Sequence, residues 1–139
     1  MSARPIGATA SRAAFQHFGG VPRTVLGDNA RALVVGRDRT TGTAIFHPAY
    51  LAFCRDWDVQ PRACAPYRAR TKGKTEAGVK YVKRNALAGL DFASFAALET
   101  HLAVWMPTAD ARVHGTTHEP PATRFARAEA ALRSLSAHP

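Results

Sequence analysis

At 139 residues the chain has room for one domain with a real core, and 46% hydrophobic residues exclude outright disorder of its middle. Nineteen Lys and Arg against ten Asp and Glu leave a formal net charge of +9, which suits a polyanionic partner such as nucleic acid. No run approaches the ~18 continuous apolar residues of a membrane span, the first ten residues lack the apolar stretch of a secretory signal, and a cytoplasmic location is expected.

In chain order, residues 1–10 are small, carry Pro5 and Gly7, and are expected to lack stable structure. Ser11 can cap a short helix whose apolar face is Ala14, Phe15 and Phe18, with Gly19-Gly20 closing it. Thr24-Val25-Leu26 is the best candidate for a buried strand; Gly27 lets the backbone turn, and Asp28-Asn29 follow at its C-terminal end. Residues 32–35 suggest a second extended segment, and the polar run 36–42 an exposed loop. His47-Pro48 opens a helix over about 48–57, with Leu51, Ala52 and Cys54 or Arg55 on one side, and 59–64 suit another strand. Strand, helix and strand in that succession make an α/β unit.

Residues 65–74 hold too many charges and breakers for a core element and read as a mobile or DNA-facing loop. A helix is expected over about 75–87, with Val79 and Val82 on one face and Gly89 after it. Ser94 caps the next, whose Phe95, Leu98, Leu102 and Trp105 share a face and which Pro107 should stop. A short helix over about 122–132 belongs to a peripheral tail.

The charge is concentrated. Residues 1–61 carry seven basic and four acidic groups, 85–139 four and five, but 62–84 carry eight basic groups and a single acid, Glu76. That is a patch rather than a background. Cys54 and Cys64 stand among apolar neighbours and read as reduced thiols in or near the core. The six histidines show no ligand spacing with them, so a hydrogen-bonding or packing role suits His114, and Trp57 and Trp105 read as core residues.

Two acids stand out by context. Asp28 lies just past an apolar strand, where α/β proteins place functional side chains, and Glu76 begins a helix after the basic run. Together they could hold Mg²⁺, which prefers carboxylate and water oxygens. Each also has an ordinary explanation, a turn residue for Asp28 and a first-turn helix acid for Glu76.

The run Phe15-Gln16-His17-Phe18-Gly19-Gly20-Val21-Pro22-Arg23 with Leu26-Gly27-Asp28-Asn29 resembles the second-aspartate segment of DDE transposases with a retroviral-integrase-like core. Residues from Pro61-Arg62-Ala63-Cys64-Ala65-Pro66-Tyr67-Arg68 through Lys74-Thr75-Glu76 resemble their glutamate segment, and Arg112-Val113-His114-Gly115-Thr116-Thr117 with Pro120 and Phe125 resembles the end of that domain. The likeness is nearest to bacterial insertion-sequence transposases of the IstA type and covers residues 13–130.

The resemblance implies a ribonuclease-H-like fold, a mixed sheet flanked by helices, with Asp28 and Glu76 as catalytic and metal-binding carboxylates for Mg²⁺ or Mn²⁺. It implies DNA integration by metal-dependent strand transfer, in which a 3′-OH attacks a target phosphodiester. Arg68, Arg70, Lys72 and Lys74, with Lys80 and Lys83, become the expected DNA contacts. An AAA+ ATPase helper and other transposase subunits become the expected protein partners.

Asp28 is the first acid of the chain, whereas the family places another catalytic Asp upstream on the first strand. The expectation is therefore an incomplete core, residues 11–130, with the first strands absent, between a non-matching tail 1–10 and a C-terminal tail 131–139. Weak or absent metal binding and little activity of the chain alone go with it. The alternative function is a non-catalytic DNA-binding or transposase-interaction module.

Overall fold

The computed structural model describes residues 6–65 and 69–135, with side chains over 8–65 and 73–135. The chain divides into two units, the first formed by residues up to 68 together with 129 onward, the second by 69–128.

The first unit opens with α1, Ile6–Phe18. The helix starts five residues before the expected Ser11, because Ile6 and the alanines at 8 and 10 are competent helix formers. One face carries Ala8 and Phe15, both buried. Gly19 ends the helix at φ +71°, in the left-handed region where a Cβ is penalised. Gly20 is required for another reason: a Cβ there would stand 2.6 Å from Leu132 Cβ.

Strand β1, Thr24–Gly27, pairs in parallel with β4, Gln60–Ala63, in the register Thr24↔Gln60 to Gly27↔Ala63. Parallel neighbours need a long crossover, and its helix is α2, Pro48–Asp56, within a residue of the expected span. His47 caps it, Nδ1 accepting the Ala49 N–H at 3.1 Å. The buried side chains of α2 are Tyr50 and the expected Cys54, so the face is rotated toward Tyr50 and leaves the expected Leu51 and Ala52 half-buried. Aromatic spacing explains the rotation. Tyr50, Phe53 and Trp57 recur every three or four residues and stack into a ladder, with Phe15 against Trp57 at 5.3 Å and against Phe53 at 6.1 Å.

Phe15, Val21, Trp57 and Val59 form the core cluster, with Val25, Phe53 and Leu135 packed on it. Each such apolar side chain contributes about 1.5–3 kcal/mol through its removal from water. Trp57 and Cys54 are buried and both cysteines are free, as their contexts suggest. Burial pushes the Tyr50 hydroxyl up to about 12, reinforced by the neighbouring Cys54.

The polar run 36–42 is not simply a loop. Strand β2, Val34–Arg37, pairs antiparallel with β3, Ala44–Phe46, leaving only the tip between them. Apolar Val34-Val35 and Ala44-Ile45-Phe46 on either side of a turn-rich tip are the local reason. Asp38 organises the tip: its Oδ1 accepts the Thr40 and Thr41 N–H groups, each at 2.8 Å. Those two donors hold the Asp38 carboxyl below its usual value, Thr41 contributing most.

The C-terminal segment is structural rather than peripheral. Val21 and Arg133 exchange both backbone hydrogen bonds at 2.9 Å, and Val21 is fully buried. The Arg133 guanidinium donates to Asp58 Oδ2 at 2.7 Å, to the Pro22 carbonyl at 3.1 Å and to the carbonyls of Trp57 and Asp58. It thereby ties the end of α2 to the entry of β1.

In the second unit α3, Ala69–Val82, begins inside the stretch expected to be a loop. Lys, Glu, Arg and Ala are good helix formers, and an exposed helix tolerates such charge density. A π-helical turn, Lys83–Leu87, continues it and buries Ala86, whose carbonyl lies 2.7 Å from His101 Nε2. Helix α4, Phe95–Ala111, is capped as expected, Ser94 Oγ accepting the Ala97 N–H at 3.1 Å. It runs through Pro107 rather than stopping there. Proline near a helix end forfeits one backbone hydrogen bond, and the remaining turn still closes. No described residue of α4 is buried, Trp105 included, so that tryptophan is only partly covered. Helix α5, Pro121–Ala128, follows, and Glu119 just ahead of it pairs with Arg127 and Arg124. The Arg127 hydrogen bond holds the Glu119 carboxyl below its usual range.

The class is α/β, but the expected single mixed sheet is replaced among the described residues by two two-stranded sheets, one parallel and one antiparallel. Among the described residues β4 is the strand that pairs with β1.

Two outcomes follow from these contacts. Arg133→Ala should lower urea stability by about 2 kcal/mol, because partly buried carbonyl acceptors lose a charged donor, and should speed exchange of the Val21 amide; unchanged stability would refute the strap. The folded pKa of Asp38 is depressed, so its contribution is present above the ordinary value of 3.8 and is lost as pH falls through the lower folded value. Thr40 and Thr41 amide shifts should therefore titrate together with a midpoint below 3.8.

Candidate functional site

Asp28 leaves β1 directly after Gly27, at the carboxyl end of the parallel pair. Its side chain is exposed, and Oδ1 accepts the Ala30 N–H at 3.1 Å, an Asx-type turn that holds the carboxylate outward. Asp28 thus makes the turn its sequence context allows, and its side chain remains exposed to solvent.

The neighbouring residues fix where that turn sits. Cys64 N–H donates to the Gly27 carbonyl at 3.0 Å, extending the ladder beyond β4. Asn29 Nδ2 donates to the Cys64 carbonyl at 3.0 Å. Arg37, at the end of β2, donates from Nη2 to Asn29 Oδ1 at 2.7 Å and to the Cys64 carbonyl at 2.8 Å, and from Nη1 to the Gly42 carbonyl at 2.9 Å. The planar guanidinium thus clamps three acceptors from three segments. Sequence reasoning left Arg37 in an exposed loop and gave Asn29 no role; only the two apolar runs flanking residues 38–43 hinted at a hairpin.

Glu76 lies in the second unit, exposed on α3 rather than at the start of the helix. Lys80 and Lys83 follow it at four- and seven-residue intervals, on the same face, and both are exposed, as is Lys74. Arg70 and Lys72 belong to α3 by backbone, but their side chains, like all of Arg68, lie outside the described residues. The second unit also holds an apolar groove of about 990 Å³ between α3 and α4, lined by Tyr81, Leu102, Trp105 and Met106 with Lys74 and Arg112 among its polar members. Arg112 stands 4.5 Å above the Tyr81 ring. His114 Nδ1 accepts the Thr116 N–H at 3.2 Å, the hydrogen-bonding role its isolation suggested.

Exposed carboxylate oxygens are suitable donors for a hard divalent cation, so Asp28 and Glu76 each fit one ligand position chemically. Among the described residues no group of three or more His, Cys, Asp and Glu could hold a metal ion. No described helix is long and apolar enough to cross a membrane.

No protein-family model matches the chain. Whole-protein comparison finds insertion-sequence transposases. The chain is 39% identical over 124 residues to the transposase for insertion sequence element IS21 of Pseudomonas aeruginosa, covering 88% of this chain and 31% of that protein. It is 40% identical over 94 residues to the transposase for element IS640 of Shigella sonnei, 67% of this chain and 29% of that protein. It is 34% identical over 122 residues to the putative transposase for element IS5376 of Geobacillus stearothermophilus, 87% and 30% respectively. The chain therefore spans less than a third of the length of these curated relatives. Over most of its residues, this chain is homologous to insertion-sequence transposases.

Proposed function

We propose that the chain supplies part of the strand-transfer centre of a DDE-type transposase of the IstA type, built on a ribonuclease-H-like core. One observation carries the reading: in a chain homologous to transposases, Asp28 stands exposed at the carboxyl end of a parallel strand pair. Open α/β sheets bind ligands at that edge, because side chains following the strands converge there.

Asp28 and Glu76 are the carboxylates that would hold Mg²⁺ or Mn²⁺. When bound, the metal makes a 3′-OH a better nucleophile and stabilises the leaving oxygen at a phosphodiester. The chain's own residues supply position and charge. Asp28 offers oxygen from a turn pinned at Ala30, and Glu76 offers it from the exposed face of α3. Lys74, Lys80 and Lys83, with Arg68, Arg70 and Lys72, hold DNA phosphates, fixing the register of the strand without reading its bases. Eight of the chain's nineteen basic residues fall within 62–84, which suits a track along one phosphate backbone. Further transposase subunits and an AAA+ ATPase helper are the protein partners this reading carries.

The test uses the chain itself. Binding to a duplex oligonucleotide, followed by fluorescence anisotropy across a salt series, should lose about 2–3 units of log–log salt slope when Lys74, Lys80 and Lys83 are changed together to Ala. An unchanged slope would remove these lysines from the interface. Mn²⁺ should broaden NMR signals around Asp28 and Glu76 in the wild-type chain with DNA present, and Asp28→Asn and Glu76→Gln should abolish it. DNA binding without any such broadening would leave a non-catalytic DNA-binding module.

A further inference from the structure

Arg37 and Asn29 form a connection between the Asp28 turn and the point where the chain leaves β4. Three features make the connection specific. The guanidinium spans Asn29 Oδ1, the Cys64 carbonyl and the Gly42 carbonyl at 2.7–2.9 Å, so it joins the end of β1, the end of β4 and the tip of the β2–β3 hairpin. Asn29 completes a triangle by donating to the same Cys64 carbonyl at 3.0 Å. Asp28 lies one residue before Asn29 and is itself tied to Ala30, so rotation of the Asn29 peptide would carry the carboxylate with it.

The hairpin, in turn, is braced where Arg37 departs from it. Asp38 N–H donates to the Thr43 carbonyl and Gly42 N–H to the Asp38 carbonyl, both at 2.9 Å. His47 N–H donates to the Leu33 carbonyl at 2.7 Å, anchoring the hairpin base beside α2. A charged donor on a braced hairpin can therefore hold a turn that Asx geometry alone would leave free to swing.

We propose that Arg37 is a positioning residue for Asp28: through Asn29 and the Cys64 carbonyl it sets the orientation of the carboxylate. The proposal rests on the reading of Asp28 as a metal ligand. Arg37 touches neither metal nor DNA in this role. Lysine cannot replace it, because a compact ammonium lacks the rigid, branched fork whose two Nη atoms reach the three acceptors.

The experiment compares wild type, Arg37→Ala, Arg37→Lys and Asn29→Ala by NMR, first without metal and then with Mn²⁺ and a duplex oligonucleotide. Without metal, Arg37→Ala removes the charge-assisted donor to Asn29 Oδ1 and should shift the Asn29 side-chain amide, the Asp28 carboxyl carbon and the Ala30 amide. The His47 amide, bonded to Leu33, should keep its protection. Arg37→Lys should behave like Arg37→Ala. With Mn²⁺, broadening at Asp28 should weaken several-fold in both.

Unchanged Asn29 and Asp28 signals in Arg37→Ala would overturn the proposal. So would loss of protection at His47, because Arg37 would then merely stabilise the hairpin. Should Arg37→Ala fail to fold, Asn29→Ala breaks the same triangle at an exposed site, and the Asp28 shift must move there. Absence of Mn²⁺ broadening in wild type would sink the metal reading, while the metal-free signals would still decide the role of Arg37.

Discussion

Two parallel strands cannot be joined by a tight turn, so pairing Thr24–Gly27 with Gln60–Ala63 obliges the chain to travel away and return over the sheet. Most features of the first unit answer that obligation. Helix α2 makes the return, and its aromatic ladder of Tyr50, Phe53 and Trp57 meets Phe15 of α1 and buries the apolar side of the crossover. A two-stranded parallel pair is weak alone, and burial of Val21, Val59 and Trp57 beside it supplies the stabilisation that backbone hydrogen bonds do not.

The same pairing aligns two carboxyl ends. Asp28-Asn29 follow one strand and Cys64 the other, so a residue reaching both can couple them. Arg37 reaches both because β2 ends at that edge of the pair. The far end of the pair is held by Arg133, whose guanidinium collects the Pro22 and Trp57 carbonyls and the Asp58 side chain. Asp58 is 87% exposed, so the ion pair itself adds little; the backbone acceptors carry the effect. Arginine thus serves at both ends for one physical reason, a flat donor that satisfies several carbonyls at once.

Much of this was legible locally. Thr24-Val25-Leu26, the His47-Pro48 helix start and the Ser94 cap each announce themselves within a few residues, and the structure has them where the sequence suggests, although β1 is not the buried strand expected: Thr24 and Leu26 are exposed and Val25 is half-buried. The misreadings share a cause. The body of α3 lies where a helix is expected, but its first turns, over 69–74, fall where charge density and breakers suggest a loop, although Lys, Arg and Ala favour an exposed helix. Pro107 suggests a stop, yet near a helix end it removes only one bond. The hairpin was hidden because its strands are three and four residues long, too short for alternation to declare itself.

For the site, sequence alone determined the chemistry on offer: one carboxylate after a strand, another at a helix following a basic run, and eight of nineteen cations within 62–84. These follow from composition and order, which no packing can alter. Only tertiary structure decided what holds Asp28 in place and what the C-terminal residues do. Arg37 meets Cys64 across 27 positions and Arg133 meets Pro22 across 111, and hydrogen bonds that distant leave no periodicity for a sequence to display.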